Sequence, residues 1–402
     1  MRTLDIREGV IWATRLFLDR EPTGSDVALL VTGCSIDTIR RVFVDSVEYR
    51  AWLGAERANR LPPATDIDRR EGLKWAFRLL LGRELDDATA DLMKDSVKTV
   101  ADIRNTVIFS NEFRLRAEPE FVDLVSYATI GHFAPFSTEP AALGSFRDFI
   151  GTTTRCSFLP PEYLALSGTV QHPPMAPYAP VLHGAPEWVA TLRSVLEAND
   201  RLVVVELGAG WAPWLVIAAK AAEKKGIHNF ELVGVEGSPD HVGFMKQHLS
   251  DNGLDPDAHR LIHGVVGAAD GIARFPKLVD PQINYGAEAR FKGGEAESDT
   301  EEVQCLSLTT LLASLPIVDL IHCDIQGAEG VVLAAARDIV GSRVRRIVIG
   351  THSRRIEDDL MDLFSDLGWW LEHESACRRL QQSSGKLTLY EDGTQVWRNP
   401  AL

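Results

Sequence analysis

Val203-Val204-Val205-Glu206-Leu207-Gly208-Ala209-Gly210-Trp211 runs from an unbroken apolar stretch into two glycines one residue apart. A buried strand that opens into Gly-x-Gly brings bare backbone to the carboxyl edge of a sheet, where a ligand can approach it closely. Residues 213–225 read as the helix that follows. Roughly 26 residues beyond the glycines, Val233-Gly234-Val235-Glu236 closes a second strand with an acid, a residue suited to accept both hydroxyls of a ribose.

Outward from that stretch, strand and helix alternate. Residues 202–207, 231–236, 260–266, 318–323 and 346–350 read as strands, with helices over 240–251, from about 328, and on to 366. Near-continuous Val/Ile/Leu strands between amphipathic helices predict an α/β fold with a parallel sheet covered on both faces. The tail differs: 369–372 and 386–398, with Asp392-Gly393 inside the latter, predict terminal antiparallel strands joined by a tight turn.

Two cofactors fit a strand–glycine–helix unit followed by an acid. A nicotinamide dinucleotide calls for a third glycine and a free helix N-terminus for its pyrophosphate. Here Pro213 stands at the third position between Trp211 and Trp214, and the acidic Glu206 precedes the glycines. A carboxylate there repels pyrophosphate and suits the ammonium and sulfonium of S-adenosylmethionine, which is therefore the expected cofactor. A nicotinamide oxidoreductase stays open as the alternative, as does a non-catalytic adaptor for glycan assembly.

Glu-Leu-Gly-Ala-Gly-Trp at 206–211, Asp-Leu-Ile-His-Cys-Asp-Ile-Gln-Gly-Ala-Glu at 319–329 and Ile-Gly-Thr-His-Ser at 349–353 resemble the FkbM-type S-adenosylmethionine-dependent methyltransferases. The resemblance covers about 145–400, and Thr154-Arg155-Cys156-Ser157-Phe158 looks like a further family feature. It implies a Rossmann-like class I methyltransferase sheet with terminal antiparallel strands, and O-methyl transfer. It also implies that Gly208 and Gly210 lie under the methionine portion, that Glu236 holds the ribose, and that backbone at Val265 and Val266 flanks adenine. The acceptor that the family suggests is a sugar, glycan intermediate or related metabolite.

Methyl transfer to an alcohol requires alignment with the sulfonium carbon and removal of the hydroxyl proton. Candidate groups belong at the ends of the fourth and fifth strands. His352, just past the fifth, has an ordinary pKa near 6.5 and is expected as the base; capping the next helix is its plainer role. Asp324 is expected to hold the cofactor's amino group, orient His352 or bind the acceptor, with helix capping as the alternative. Glu329 suits the positive end of the helix it begins. Asp324, Glu329 and His352 could together hold a hard divalent ion, but no required metal is expected. Trp211 is expected over the cofactor, although it and Trp214 also have core spacing. Within Asn284-Tyr285-Gly286-Ala287, Tyr285 is a candidate acceptor contact, and Arg354 and Arg355 could recognise an anionic acceptor. His322 and Cys323 read as core. Residues 293–295 and 297–302 read as solvated surface.

The first segment contains a repeat. Trp12-Ala13-Thr14-Arg15-Leu16-Phe17-Leu18-Asp19-Arg20-Glu21 matches Trp75-Ala76-Phe77-Arg78-Leu79-Leu80-Leu81-Gly82-Arg83-Glu84, and Ser46-Val47-Glu48-Tyr49-Arg50 matches Ser110-Asn111-Glu112-Phe113-Arg114. Apolar spacing makes each copy helical with an incomplete core, so the two are expected to pack on one another. The pattern resembles the LGRExD…SxEFR repeats of bacterial glycan-associated proteins, which implies a docking or structural module. The expected division is 1–120 for the repeats, 121–200 for a Pro-rich bridge and lead-in helix from about Ala185, and 201–402 for the cofactor-binding domain.

The chain has 402 residues, 45% of them apolar and 25% charged, which excludes wholesale disorder. Its net charge is −15, of which residues 1–120 carry −2 and the remainder −13. Such a field repels polyanions, so nucleic acid is not an expected partner. No apolar run reaches the roughly 18 residues of a membrane span. Arg15 interrupts the only apolar stretch near the start, which reads against a signal peptide. Cys34, Cys156, Cys305, Cys323 and Cys377 are scattered without a CxxC pair. They argue against a disulfide framework or zinc site and for the cytoplasm.

Overall fold

The computed structural model describes residues 6–18, 20–24, 26, 35–44, 67–110, 113, 125–126, 128–174, 182–291, 299–382, 385 and 387–402. Its chain divides into two compact units, Met1–Ala134 with His172–Leu182 and Pro135–Gln171 with His183–Leu402. No described helix is long and apolar enough to cross a membrane.

The first unit is built from α1 (Ile6–Leu18), α2 (Ile36–Val44), α3 (Arg69–Leu81), α4 (Asp87–Met93) and α5 (Val100–Ile108). Asp68 caps α3 by accepting from the amides of Arg70 and Glu71, and Gly82 ends it in the left-handed conformation. Helices α1 and α3 carry the two copies of the repeat and present the same groups. Arg15 donates to Glu21 and Arg78 to Glu84. Each guanidinium lies over the tryptophan one turn earlier, 4.9 Å from the Trp12 ring centre and 4.7 Å from that of Trp75. The two helices meet reciprocally. A Cβ on Gly72 would stand 2.6 Å from the Trp12 ring, and one on Gly9 would stand 3.0 Å from the Trp75 ring. Leu16, Phe17, Leu73, Leu79, Ile103 and Val107 fill the core between them. The matching stretch at 46–50 lies outside the described residues.

In the second unit, β1 (Ser145–Arg147) and β2 (Thr153–Arg155) form a small antiparallel pair. Helix α6 (Ala185–Glu197) then leads into β3 (Leu202–Leu207), α7 (Pro213–Lys224), β4 (Phe230–Glu236), α8 (Pro239–Asp251) and β5 (Arg260–His263). After β6 (Val265–Gly267), β7 (Gly271–Pro276) and β8 (Thr300–Ser307) come α9 (Leu308–Ala313), β9 (Leu320–Cys323), α10 (Glu329–Ala335) and α11 (Arg337–Arg343). The chain ends with β10 (Arg346–Thr351), α12 (Arg354–Asp366), β11 (Trp370–Ser375), β12 (Arg378–Gln381), β13 (Leu387–Glu391) and β14 (Gly393–Arg398).

The main sheet has seven strands in the order β11-β14-β10-β9-β3-β4-β5. Strands β10, β9, β3, β4 and β5 are mutually parallel, and β14 enters antiparallel between β10 and β11. This is a Rossmann-like, mostly parallel sheet with an antiparallel edge. Alternation along β3 sends Val203, Val205 and Leu207 into one core with α9–α12, and turns Glu206 the other way, toward α7. The connections leave β3 in opposite directions across the sheet, so a crevice opens at the carboxyl ends of β3, β4 and β9. Arg346, with no exposed surface, ties β10 to α6 through Glu197 and Ser194 and to β11 through Glu372.

Two expected elements differ. The single strand over 260–266 is broken at Gly264, where a Cβ would lie 2.7 Å from the Gln304 carbonyl oxygen. Strand β6 instead joins a separate three-stranded sheet, in the order β6-β8-β7. At the tail, Asp392-Gly393 is not a hairpin turn. Strand β13 pairs with β12, β14 pairs with β10 and β11, and the chain changes sheets between them. Gly393 is needed there because a side chain would collide with Glu357 and Thr351.

Gly72→Ala forces a methyl group against the Trp12 ring, so the first unit should lose about 1–3 kcal/mol. A urea titration followed by tryptophan fluorescence should show the lowered midpoint; an unchanged midpoint would mean that the two helices do not close as tightly as described.

Candidate active site

The crevice is built on the tip of β3. Gly208 and Gly210 both have positive φ, at 72° and 54°. A side chain on Gly208 would occupy the position of the Asp324 carbonyl oxygen, while the Asp324 amide donates to the Leu207 carbonyl at 3.0 Å. The glycine is therefore required by the neighbouring strand, whose backbone fills the place of its missing side chain, while the residue itself stays exposed at the strand tip. Gly210 is different. Its amide donates to Glu236 Oε2 at 2.8 Å, and its missing side chain leaves room for the Tyr285 ring, 3.1 Å from where a Cβ would stand.

Glu236 ends β4 with its carboxylate turned back over the glycine loop. Its other oxygen accepts the Ser238 amide at 2.8 Å and lies 3.4 Å from His241 Nδ1. Each oxygen keeps a lone pair. Tyr285 stacks on His241 with centroids 4.4 Å apart, meets Trp211 edge-on at 4.8 Å and donates to the Phe158 carbonyl at 2.5 Å. It roofs the glycine loop and Glu236, on the side expected for the cofactor rather than for the acceptor. Its neighbour Gly286 approaches Gln326, so the stretch 284–287 spans from the β3 tip to the β9 tip. Trp211 is buried, and its Nε1 has no hydrogen-bond partner among the described residues.

Val265 and Val266 follow β5 beside Glu236, where the Gly264 amide donates to the Glu236 carbonyl at 2.9 Å. Their side chains are packed, Val265 with Ala273, Phe275 and Val303, and Val266 in the main core, so only their backbone could face a ligand.

Glu206 overturns its expected role. Its carboxylate does not line the crevice; it accepts from the Leu215 amide at 3.0 Å and the Trp214 amide at 3.4 Å and caps α7 from beneath. Burial pushes its pKa from the usual 4.5 up to about 8, with His322 and the two amides opposing. A carboxyl that is protonated near neutrality cannot select a sulfonium by charge. His322 lies beside it, stacked on Trp214 and 3.2 Å from Glu187 Oε1. Burial disfavours the imidazolium, but the Glu187 contact and nearby carboxylates lift the His322 pKa above its ordinary value. This Glu187–His322–Glu206 set is a buried network that sequence reasoning missed. Only the acid two residues before Gly208 and a histidine within an apolar strand hinted at it.

Beyond the β9 tip, Asp324, Glu329 and His352 converge. His352 Nδ1 is 3.0 Å from Glu329 Oε1, and Nε2 is 3.3 Å from Asp324 Oδ1. Glu329 has no exposed surface and braces the loop by accepting from the amides of Ile325 and Gly327. Asp392, from the crossing between β13 and β14, adds a third carboxylate 4.0 Å from Nε2, another residue that sequence reasoning missed. Burial works against charge on His352, but the three carboxylates raise its pKa to about 9. A ring that already holds its proton at neutrality is not the ready base that the sequence suggested. Arg354 and Arg355 stay outside this cluster. Both are exposed, and among the described residues they pair within α12, with Glu357 and Asp359. A cavity of ≈ 490 Å³, lined in part by Arg155, Leu164 and Asp251, opens at the C-terminal end of α8, away from the crevice.

No family model matches the chain. A protein of Jannaschia sp. (strain CCS1), described as a candidate methyltransferase, is 36% identical over 226 residues, which span 54% of this chain and 79% of the relative. A precorrin-6y C5,15-methyltransferase from Geobacter metallireducens GS-15 superposes with a TM-score of 0.32 at 14% identity, over 56% of this chain and 92% of its own. The methyltransferase FkbM from Methylobacillus flagellatus KT gives a TM-score of 0.34 at 11% identity, over 53% and 54%. The family assignment rests on the Jannaschia protein alone.

Glu206→Gln tests the buried carboxyl. Between pH 4.5 and 8 the unfolded chain releases a proton that the folded chain keeps, so wild-type stability falls as pH rises through that window. The urea midpoint of Glu206→Gln should fall less steeply across it, by a difference on the order of a few kcal/mol. Parallel slopes would show that Glu206 does not hold its proton.

Proposed function

Because the chain belongs to the methyltransferases, we propose that it carries a methyl group from S-adenosylmethionine to a hydroxyl oxygen, with the glycine loop seating the cofactor and Asp324 and His352 meeting the acceptor. The observation that carries this reading is the hydrogen bond from the Gly210 amide to Glu236, with the Asp324–His352 cluster at the next strand tip. The kinship with a methyltransferase sets the nicotinamide reading aside.

The residues fit the cofactor in kind. Glu236 offers its spare lone pairs to two ribose hydroxyls, Gly208 exposes bare backbone at the strand tip, and the orphaned Trp211 Nε1 has a donor to spare. Backbone at Val265 and Val266 would flank the adenine, and Tyr285 would close over the nucleoside. Once bound there, S-adenosylmethionine would supply an electrophilic methyl group for transfer to an oxygen nucleophile. The protonated His352 and Asp324 orient that oxygen, and the hydroxyl proton passes to the Asp324 carboxylate. Positioning of this kind can supply a large part of the acceleration of a displacement reaction.

A sugar or glycan intermediate is the proposed acceptor. Support comes from the helical repeats on the same chain and from the −13 charge of residues 121–402, which disfavours polyanionic substrates.

Calorimetry with S-adenosylhomocysteine should show one site per chain, weakened about tenfold or more in Glu236→Gln through loss of a charged acceptor. Absence of binding in the wild type would remove the reading. His352→Ala should keep that binding within about twofold while losing on the order of a hundredfold or more of turnover, measured as labelled methyl transfer to sugar acceptors. Retained turnover would move the reaction centre elsewhere.

A further inference from the structure

We propose that Gln326 is a positioning residue, which holds the Asp324 carboxylate by Oδ1 and so turns Oδ2 to the acceptor. The Gln326 side-chain amide donates to Asp324 Oδ1 at 2.9 Å. His352 Nε2 lies 3.3 Å from the same oxygen. Among the described residues no hydrogen bond reaches Oδ2, which faces Gly350; a Cβ there would stand 3.3 Å from it. Both neighbours thus converge on one oxygen, and the other keeps its lone pairs in a side chain that is 38% exposed. An aspartate's last torsion is broad and two-fold, so an unheld carboxylate would present either oxygen. A donor fixed on Oδ1 removes that freedom.

The backbone supplies an independent observation. Gln326 has a φ of 54°, and Ala212 is the other non-glycine residue at positive φ among the described residues. Glycine would make the same turn without strain, as Gly327 does beside it at 101°. The strained conformation is held from both sides, because Glu329 accepts the Ile325 and Gly327 amides. What a glutamine gains there is reach, from the left-handed turn back to the carboxylate two residues earlier. An ionised carboxylate only accepts, so the NH₂ end must face Asp324, and Oε1 turns toward Gly286.

This role rests on the methyl-transfer reading. With Oδ1 held, Oδ2 takes the acceptor's hydroxyl proton, and the carboxyl leaves the step neutral.

The test is calorimetry of the full-length chain with S-adenosylhomocysteine and with sinefungin, in which an amine-bearing carbon replaces the methylsulfonium. That amine occupies the region of the transferred methyl group and pairs with a carboxylate aimed there. Wild type should bind sinefungin about tenfold more tightly than S-adenosylhomocysteine. The preference should vanish in Asp324→Asn and fall at least fivefold in Gln326→Met, which keeps length but has no donor. Affinity for S-adenosylhomocysteine should stay within about twofold in both. Gln326→Gly should lose the preference equally and melt no lower than wild type, because the turn is relaxed. Gln326 variants that keep the sinefungin preference would overturn the role, as would its loss together with lowered melting in both variants. Wild type that binds S-adenosylhomocysteine without preferring sinefungin would overturn the role and leave the methyl-transfer reading standing. Binding of neither nucleoside would remove both.

Discussion

The tips of β3 and β9 meet backbone to backbone, at a separation that only glycine permits. The Asp324 amide reaches the Leu207 carbonyl, and the Asp324 carbonyl takes the space that a side chain at position 208 would need. Everything on the two sides of the crevice is registered through that contact. On one side are Gly210, Glu236 and Tyr285; on the other, Gln326, Glu329 and His352. Because the link is made of main chain, it has no rotamers to lose, and the distance between the two halves is set by the sheet itself.

The sheet also separates two electrostatic environments. On the α7 side, Glu206, Glu187 and His322 are buried together, and burial is answered there by keeping Glu206 protonated and pairing His322 with Glu187. On the other side, Asp324, Glu329 and Asp392 surround His352, and the answer is positive charge. One strand, β9, carries His322 toward the first set and ends at Asp324 in the second.

Much of the second unit was legible because its strands are apolar without interruption and its glycines and acids fall at strand ends. The convergence of Asp324 with His352 followed from placing both after adjacent strands. The direction of Glu206 did not. A strand buried on both faces hides which side each residue takes, although the period of two already grouped Glu206 with Leu202 and Val204, apart from Val203, Val205 and Leu207. The break at Gly264 was hidden because His263 and Val265 both suit a strand, and only the Gln304 carbonyl decides against continuing. Asp392 was read as a turn residue because Asp-Gly pairs usually make hairpins. What brings it to His352 is the pairing of β14 with β10, a contact between residues far apart in sequence.

In the repeat unit each tryptophan rests on the other copy's glycine, Trp12 on Gly72 and Trp75 on Gly9. The lock is symmetric although it is made within one chain. A single ancestral copy would have displayed both the knob and its socket, which is the self-complementary surface of a two-fold dimer. Duplication in tandem would turn that association into an intramolecular one. A bulkier residue at either socket would therefore pack without strain only against a smaller ring on the other copy.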